Sequence, residues 1–168
     1  MEPNLLAKLE ARDVPELMAL LEDAGVFRPD ELDVAREVLE AAASRGEASG
    51  YLCAVARVSG AAAGFVCYGA TPCTIGTFDM YWLAVHPRFQ GKGTATDLVE
   101  AAEAGASARG ARLMVVETSD TAPYRPARGF YEARGYALVA RIPDFYRPGD
   151  AKVIYVKPIH RNPNKGGD

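Results

Sequence analysis

Apolar positions in the first fifty residues recur at the spacing of helices. Three leucines give one segment an apolar side, and a capping box of Asp13 and Glu16 predicts where that helix begins. A second helix is predicted from Pro29 to Arg45, where apolar residues recur every three or four positions. A short strand over residues 4–10 is expected before both helices. The loop over residues 25–28 either only joins the helices or lines a substrate cleft.

From Gly50 the pattern changes to short apolar runs separated by turn residues. Two adjacent runs are joined by Ser59 and Gly60, a pair that predicts a tight hairpin. A third run over residues 77–85 ends before Pro87, which has no N–H group to continue a sheet ladder. The three runs together predict an antiparallel meander.

The second half of the chain alternates helical and strand patterns. Small residues on one face predict a helix after residue 93, and the run from Leu113 to Val116 predicts a strand buried on both faces. Strand, helix and strand in this order form a crossover unit, so the two strands should be parallel and the sheet mixed. The remainder is predicted as a helix over 123–133 broken at Pro126, a strand over 136–142, a loop over 143–150 and a strand over 152–157.

Composition limits the number of domains and the classes of partner. The 168 residues are 49% apolar and 24% charged, which predicts one globular domain over residues 1–158 and a polar, disordered tail over 159–168. A net charge of -3 argues against nucleic acid and membrane partners. Three cysteines without a signal segment favour free thiols in the cytoplasm, and two histidines make no metal cluster.

Candidate chemistry is concentrated in the loop from Gln90 to Ala95. Gly91 and Gly93 let the backbone approach a ligand, and the helix that follows offers N–H groups and a positive dipole end to phosphate. The nucleotide-triphosphate loop does not match, because Gly93 occupies its Ser/Thr position. The dinucleotide fingerprint does not match either, because Thr96 stands where that motif has its third glycine. From the glycines alone, a plain turn before a helix fits as well as a phosphate site.

Two motifs, separated by the distance usual in the family, resemble those of the GNAT superfamily of N-acetyltransferases. Residues 90–95, QGKGTA, resemble the coenzyme A signature Q/R-x-x-G-x-G/A, and residues 130–136, FYEARGY, are similar to the family's F-Y-x-x-x-G-F/Y. A strand ending in LAV-x-P precedes the first motif, as in the family. The resemblance implies an α/β fold: one domain with a mixed, mostly antiparallel sheet, a splayed parallel pair of strands and helices on both faces.

The resemblance also implies a reaction, direct transfer of an acetyl group from acetyl-CoA to a primary amine in a ternary complex without metal. It assigns Tyr131 as the acid that protonates the leaving thiolate, and Asp79 or Glu117 as the base. It points to Tyr81 and Tyr146 as acceptor-binding residues. Cofactor binding is assigned to two short segments: Leu83, Ala84 and Val85, then Gln90, Gly91, Lys92, Gly93, Thr94 and Ala95.

The acceptor and the assembly are less restricted by the sequence. The resemblance allows a small-molecule amine or a peptide N-terminus as acceptor, and a monomer or a homodimer as the assembly. A different class of function also stays open, a non-catalytic module that binds acyl-CoA on the same fold.

Overall fold

A computed structural model describes residues 5–159, and within them the chain forms seven strands and four α-helices. The strands are β1 Leu5–Lys8, β2 Leu52–Val58, β3 Ala61–Ala70, β4 Thr77–Val85, β5 Leu113–Ser119, β6 Ala137–Arg147 and β7 Asp150–Pro158. The helices are α1 Val14–Ala24, α2 Pro29–Arg45, α3 Thr94–Ala108 and α4 Arg125–Ala133. Residue 4 of the predicted first strand and the predicted tail from residue 160 lie outside the described residues.

The strands form one mixed sheet in the order β1-β2-β3-β4-β5-β7-β6. The pairs β1–β2, β2–β3, β5–β7 and β6–β7 are antiparallel. The carbonyl of Gly76, just before β4, accepts hydrogen bonds from the N–H groups of Arg112 and Leu113 at 2.7 and 3.1 Å. The starts of β4 and β5 therefore lie side by side, and the two strands run parallel. The α/β class with a mixed sheet is confirmed, while the splay of the parallel pair stays a prediction.

The chain folds as two compact units, and the first contains the described residues up to Gly69 together with Met80–Ala104. Its core packs α1 and α2 against one face of β2 and β3, with Phe65 and Cys67 fully buried among the helix leucines. Gly64 lies next to Phe65 in sequence and faces Leu98 of α3 instead. Because successive strand residues point to opposite faces, helices cover both faces of β3, as predicted.

Gly64 marks a close approach of β3 to the end of β4. A Cβ atom there would lie 2.6 Å from the carbonyl oxygen of Ala84 and 3.1 Å from side-chain atoms of Leu98 and Val85. We expect Gly64→Ala to lower the free energy of unfolding by about 1–3 kcal/mol, since backbone must move to admit the methyl group. Gly129→Ala is the matched control, because no atom lies within 4 Å of its Cβ position and α4 favours alanine. Thermal unfolding of both variants measures the difference; equal midpoints would contradict the close approach.

The second unit contains Ala70–Asp79 and the described residues from Gly105 onward. Its β5, β7 and β6 pair in that order, and β6 runs without a break to Arg147. The predicted loop over 143–150 is therefore wrong: most of it is strand, and β7 begins at Asp150. The β6–β7 register shifts between Ile142 and Arg147, where Asp144 has a φ of 53°. This shift in register accommodates the proline and charged residues that indicated a loop.

Two predicted helix features and one strand feature also differ in the structure. Asp13 and Glu16 do not form a capping box: the Asp13 carboxylate is buried and bonds Arg57, and Glu16 accepts a hydrogen bond from the Ala62 N–H at 2.7 Å. Pro126 lies in the first turn of α4, where its missing N–H costs nothing, so it begins that helix rather than breaking it. Strand β5 alternates in burial instead of being buried on both faces.

No helix within residues 5–159 is long and apolar enough to cross a membrane.

Candidate active site

The end of β4 turns into α3 through a loop that its own side chains hold in place. The Gln90 amide donates to the Val85 carbonyl at 3.1 Å, and the Lys92 ammonium donates to the Arg88 carbonyl at 2.9 Å. The ring of His86 accepts a hydrogen bond from the Arg88 N–H at 3.2 Å. These bonds preorganise the backbone of the loop. They also engage Lys92 within the loop, so its ammonium is not simply a solvated charge.

The two loop glycines are required by backbone conformation. Gly91 and Gly93 have φ values of 70° and 89°, in the left-handed region, and a Cβ atom at either would meet nothing within 4 Å. The Gly93 carbonyl accepts the first helical bond of α3, from the Asp97 N–H at 3.0 Å. Thr94 is buried at the helix start, followed by Ala95. An open backbone surface thus precedes a helix whose first turn directs N–H groups outward.

We expect Gly93→Ala to weaken acetyl-CoA binding by about five- to tenfold, because a left-handed alanine costs roughly 1–2 kcal/mol and shifts the loop. Gly149→Ala is the matched control: its φ is 81°, nothing lies within 4 Å of its Cβ position, and it occupies the β6–β7 turn. Calorimetric titration with acetyl-CoA measures both variants. An equal loss of affinity in the control would show that strain anywhere in the chain, rather than the loop, sets the affinity.

The predicted cofactor residues on β4 lie directly before this loop. Ala84 is buried, and Leu83 and Val85 are half-buried. Tyr81, the predicted acceptor residue on the same strand, is 40% exposed and packs edge-on against Tyr51 with ring centroids 5.4 Å apart. Part of the Tyr81 ring therefore faces solvent, while Tyr51 supports its other side.

Tyr131, the predicted acid, lies on α4 in the second unit within a group of aromatic rings. Its ring packs against Phe130, Tyr136 and Tyr155 at centroid distances of 5.6, 5.5 and 6.4 Å. Burial raises the pKa of the Tyr131 hydroxyl above its usual range, since the phenolate would lack solvation. The hydroxyl forms no hydrogen bond to any other group in residues 5–159, whereas Tyr155 donates to Glu132 at 2.9 Å. Tyr131 therefore keeps its proton and has it available.

Glu117, one predicted base, belongs to a cluster on β5, β6 and β7. Its carboxylate is 2.5 Å from the Lys152 ammonium, which lies 3.8 Å from the centre of the Phe145 ring. Tyr146, the other predicted acceptor residue, packs edge-on against Phe145 at 5.1 Å. The structure therefore brings Glu117 and the Tyr146 hairpin into one cluster through Lys152 and Phe145.

Asp79, the other predicted base, has a different environment. It is half-buried on β4, and its carboxylate accepts a hydrogen bond from the Thr71 hydroxyl at 2.7 Å. This bond ties the strand to the loop that precedes it, which is a structural role. Neither Lys152 nor Tyr131 forms a hydrogen bond or ion pair with Asp79 among the interactions of residues 5–159.

Sequence reasoning missed Lys152, which contacts a predicted site residue, and His86, which bonds the turn before the predicted loop. Lys152 faces Glu117 because β7 pairs with β5 in a register that places Lys152 opposite Ser119, two positions along the same face from Glu117. His86 directly follows the predicted strand, and its hydrogen bond to Arg88 depends on the turn that begins there. Residues 5–159 contain no group of three histidine, cysteine or acidic side chains arranged to hold a metal.

Comparison with known proteins identifies relatives of this fold. The family description Acetyltransferase (GNAT) domain matches residues 49–138. A protein from Desulfovibrio desulfuricans, assigned to the GNAT acetyltransferases, is 35% identical with a TM-score of 0.90, over 94% of this chain and 100% of that one. No curated protein matches the sequence.

Two more distant structures share the fold. The ribosomal-protein-S18-alanine N-acetyltransferase from Escherichia coli is 20% identical with a TM-score of 0.75, over 99% of this chain and 100% of that one. An aminoglycoside 6'-N-acetyltransferase complexed with coenzyme A is 15% identical with a TM-score of 0.73, over 95% and 99%. Because the family match spans more than half of the 168 residues and the D. desulfuricans protein is similar over nearly the whole chain, the protein belongs to the GNAT acetyltransferase family.

Proposed function

We propose that this protein is an N-acetyltransferase that moves the acetyl group of acetyl-CoA directly to a primary amine. The observation that carries the proposal is the preorganised loop in which Gln90 is bonded to Val85, and Gly91 and Gly93 open the backbone before α3. Acetyl-CoA carries a pyrophosphate and an amide-rich arm, so it needs backbone N–H groups at such a loop and backbone partners along a strand. One relative of the same fold was solved with coenzyme A.

The reaction sets two proton requirements, and the second unit has candidates for both. An ammonium must lose a proton before its nitrogen attacks the thioester carbonyl, and the coenzyme then leaves as a thiolate. In our proposal the Tyr131 hydroxyl protonates that thiolate. Its raised pKa keeps the hydroxyl protonated before the reaction, and the phenolate regains a proton when the products leave.

Glu117 is the base that we favour over Asp79. Its carboxylate is 45% exposed, so a water molecule can carry the proton from the ammonium to it and from it to solvent. It also belongs to the cluster that contains Phe145 and Tyr146, which we propose to contact the acceptor. Asp79 is shorter and is engaged with Thr71.

The acceptor belongs to one of two classes suggested by relatives. The E. coli relative acetylates an alanine of ribosomal protein S18, and others acetylate aminoglycosides. An exposed aromatic hairpin with a neighbouring carboxylate suits either a peptide N-terminus or a polyamine-like small molecule. We also propose that the assembly is a monomer or a homodimer. We propose a cytoplasmic location, in which the thiols of Cys53, Cys67 and Cys73 stay reduced.

Thiol release from acetyl-CoA tests the proposal with a panel of acceptors: peptides beginning with alanine, free amino acids, polyamines and aminoglycosides. We expect one class to give amine-dependent release, which also identifies the acceptor. Calorimetry with acetyl-CoA is run alongside. Binding without turnover on any class would instead support the non-catalytic acyl-CoA module.

A further inference from the structure

Both ring nitrogens of His86 have partners, and these come from two different elements. Nδ1 accepts a hydrogen bond from the backbone N–H of Arg88 at 3.2 Å, and Nε2 lies 3.3 Å from a carboxylate oxygen of Asp23 on α1. A neutral imidazole carries one proton. Because Nδ1 accepts, the hydrogen-bond pattern assigns that proton to Nε2, which donates to Asp23. Neutral His86 thus satisfies both partners in one tautomer.

A second proton on His86 would disrupt one of these two bonds. It would occupy Nδ1 and turn the acceptor into a donor that faces the Arg88 N–H, while the contact with Asp23 persists. The charged groups around His86 are Asp23 from α1 and, from its own turn, Arg88 and Lys92, which lie 4.8 and 5.6 Å from the centre of the Phe89 ring.

The Arg88 peptide bonds connect His86 to the loop itself. The Arg88 N–H donates to His86, and the Arg88 carbonyl accepts from Lys92 between the two glycines. The Phe89 ring beside His86 is buried, with centroids 6.0 Å apart, so the turn has little room to reorient without disturbing its packing. The His86–Arg88 bond and the packing of Phe89 therefore hold the same turn, from which the cofactor loop starts.

We propose that His86, held by Asp23, is a positioning residue that sets the cofactor loop, so that affinity for acetyl-CoA falls when the ring takes up a second proton. The inference rests on the proposed function, since it requires the loop to hold acetyl-CoA. It predicts that acidification weakens cofactor binding through the Arg88 N–H, whereas the chemical step depends on other residues.

Two variants of His86 separate its two hydrogen bonds. His86→Asn keeps an acceptor at the position of Nδ1 and does not titrate, whereas His86→Gln keeps a donor toward Asp23 and has no acceptor near Arg88. Calorimetric titration with acetyl-CoA is compared at about pH 8 and about pH 5.5, on either side of the range in which imidazoles take up a proton. His86→Asn also reports any pH dependence that arises from the phosphates of acetyl-CoA.

We expect the wild type to lose about fivefold more affinity on acidification than His86→Asn, as a lost turn-capping bond would cause. His86→Gln should bind about fivefold more weakly than the wild type already at the higher pH, while kcat at saturating acetyl-CoA stays within about twofold. The proposal is overturned if His86→Asn loses as much affinity as the wild type, or if His86→Gln binds like the wild type.

A second readout does not depend on turnover or cofactor. Nitrogen-15 spectra of the imidazole should show the proton on Nε2, and the Arg88 amide shift should follow the titration of His86. The chain has two histidines, so the signal missing in His86→Asn assigns the ring. An Arg88 amide chemical shift that stays constant while His86 is protonated contradicts the inference. If the wild type does not bind acetyl-CoA, that result contradicts the proposed function. The spectra would still decide whether His86 controls the turn.

Discussion

Tyr131→Phe should lower kcat by about 10²- to 10⁴-fold, the usual contribution of a general acid, while acetyl-CoA affinity stays the same. The substitution removes one hydroxyl and keeps the ring contacts with Phe130, Tyr136 and Tyr155, so the core of the second unit should be preserved. Burial raises the pKa of Tyr131, so its deprotonation should not limit the wild-type rate below about pH 10. Steady-state kinetics and calorimetry measure the two effects.

The control for this prediction is a neighbouring tyrosine. Tyr155→Phe removes a hydroxyl that donates to Glu132, so it should cost stability without a comparable loss of kcat. An unaltered rate in Tyr131→Phe would remove the acid assignment. Equal losses in both variants would indicate damage to the aromatic cluster instead.

Glu117→Gln should lower kcat by about 10²- to 10⁴-fold, because the amide cannot accept the proton of the ammonium. Asp79→Asn is the matched comparison, since its amide oxygen can still accept the hydrogen bond from Thr71. We expect it to retain most of the wild-type rate. Rates from about pH 6 to about pH 9 at saturating substrates measure both variants.

The ion pair with Lys152 requires a stability control for Glu117→Gln. Lys152 is only 14% exposed, so removal of its charged partner can also destabilise β7. Thermal unfolding separates lost stability from lost chemistry. The reverse result, a large loss in Asp79→Asn and a small one in Glu117→Gln, would transfer the role of base to Asp79.

The order and type of most elements were predictable from the sequence because they depend on local chemistry. The turn at Ser59 and Gly60 has φ values of 50° and 84°, as a tight hairpin requires, and α2 has the bounds given by its proline and its terminal arginine. The glycine loop before α3 was also predictable from the sequence, since few residues other than glycine adopt the left-handed conformation.

The errors arose where distant partners override local preference. Asp13 and Glu16 have the spacing of a cap, but Arg57 and the Ala62 N–H, more than forty positions away, bind them instead. The charged stretch around Asp144 indicated a loop, yet β6 continues through it to Arg147, which pairs with Asp150 after a shift in register. Contacts such as Glu117 with Lys152 depend on strand register, which a single sequence does not specify.

A single-turnover experiment tests the central claim, direct acetyl transfer, most directly. The protein is loaded with acetyl-CoA and mixed with the acceptor found in the panel, and free thiol, acetylated acceptor and protein mass are followed together. Direct transfer predicts that thiol and acetylated acceptor appear at one rate and that the protein never carries an acetyl group on the reaction path. Thiol release before acceptor is added, with an acetyl group on the protein that then passes to the acceptor, would contradict it.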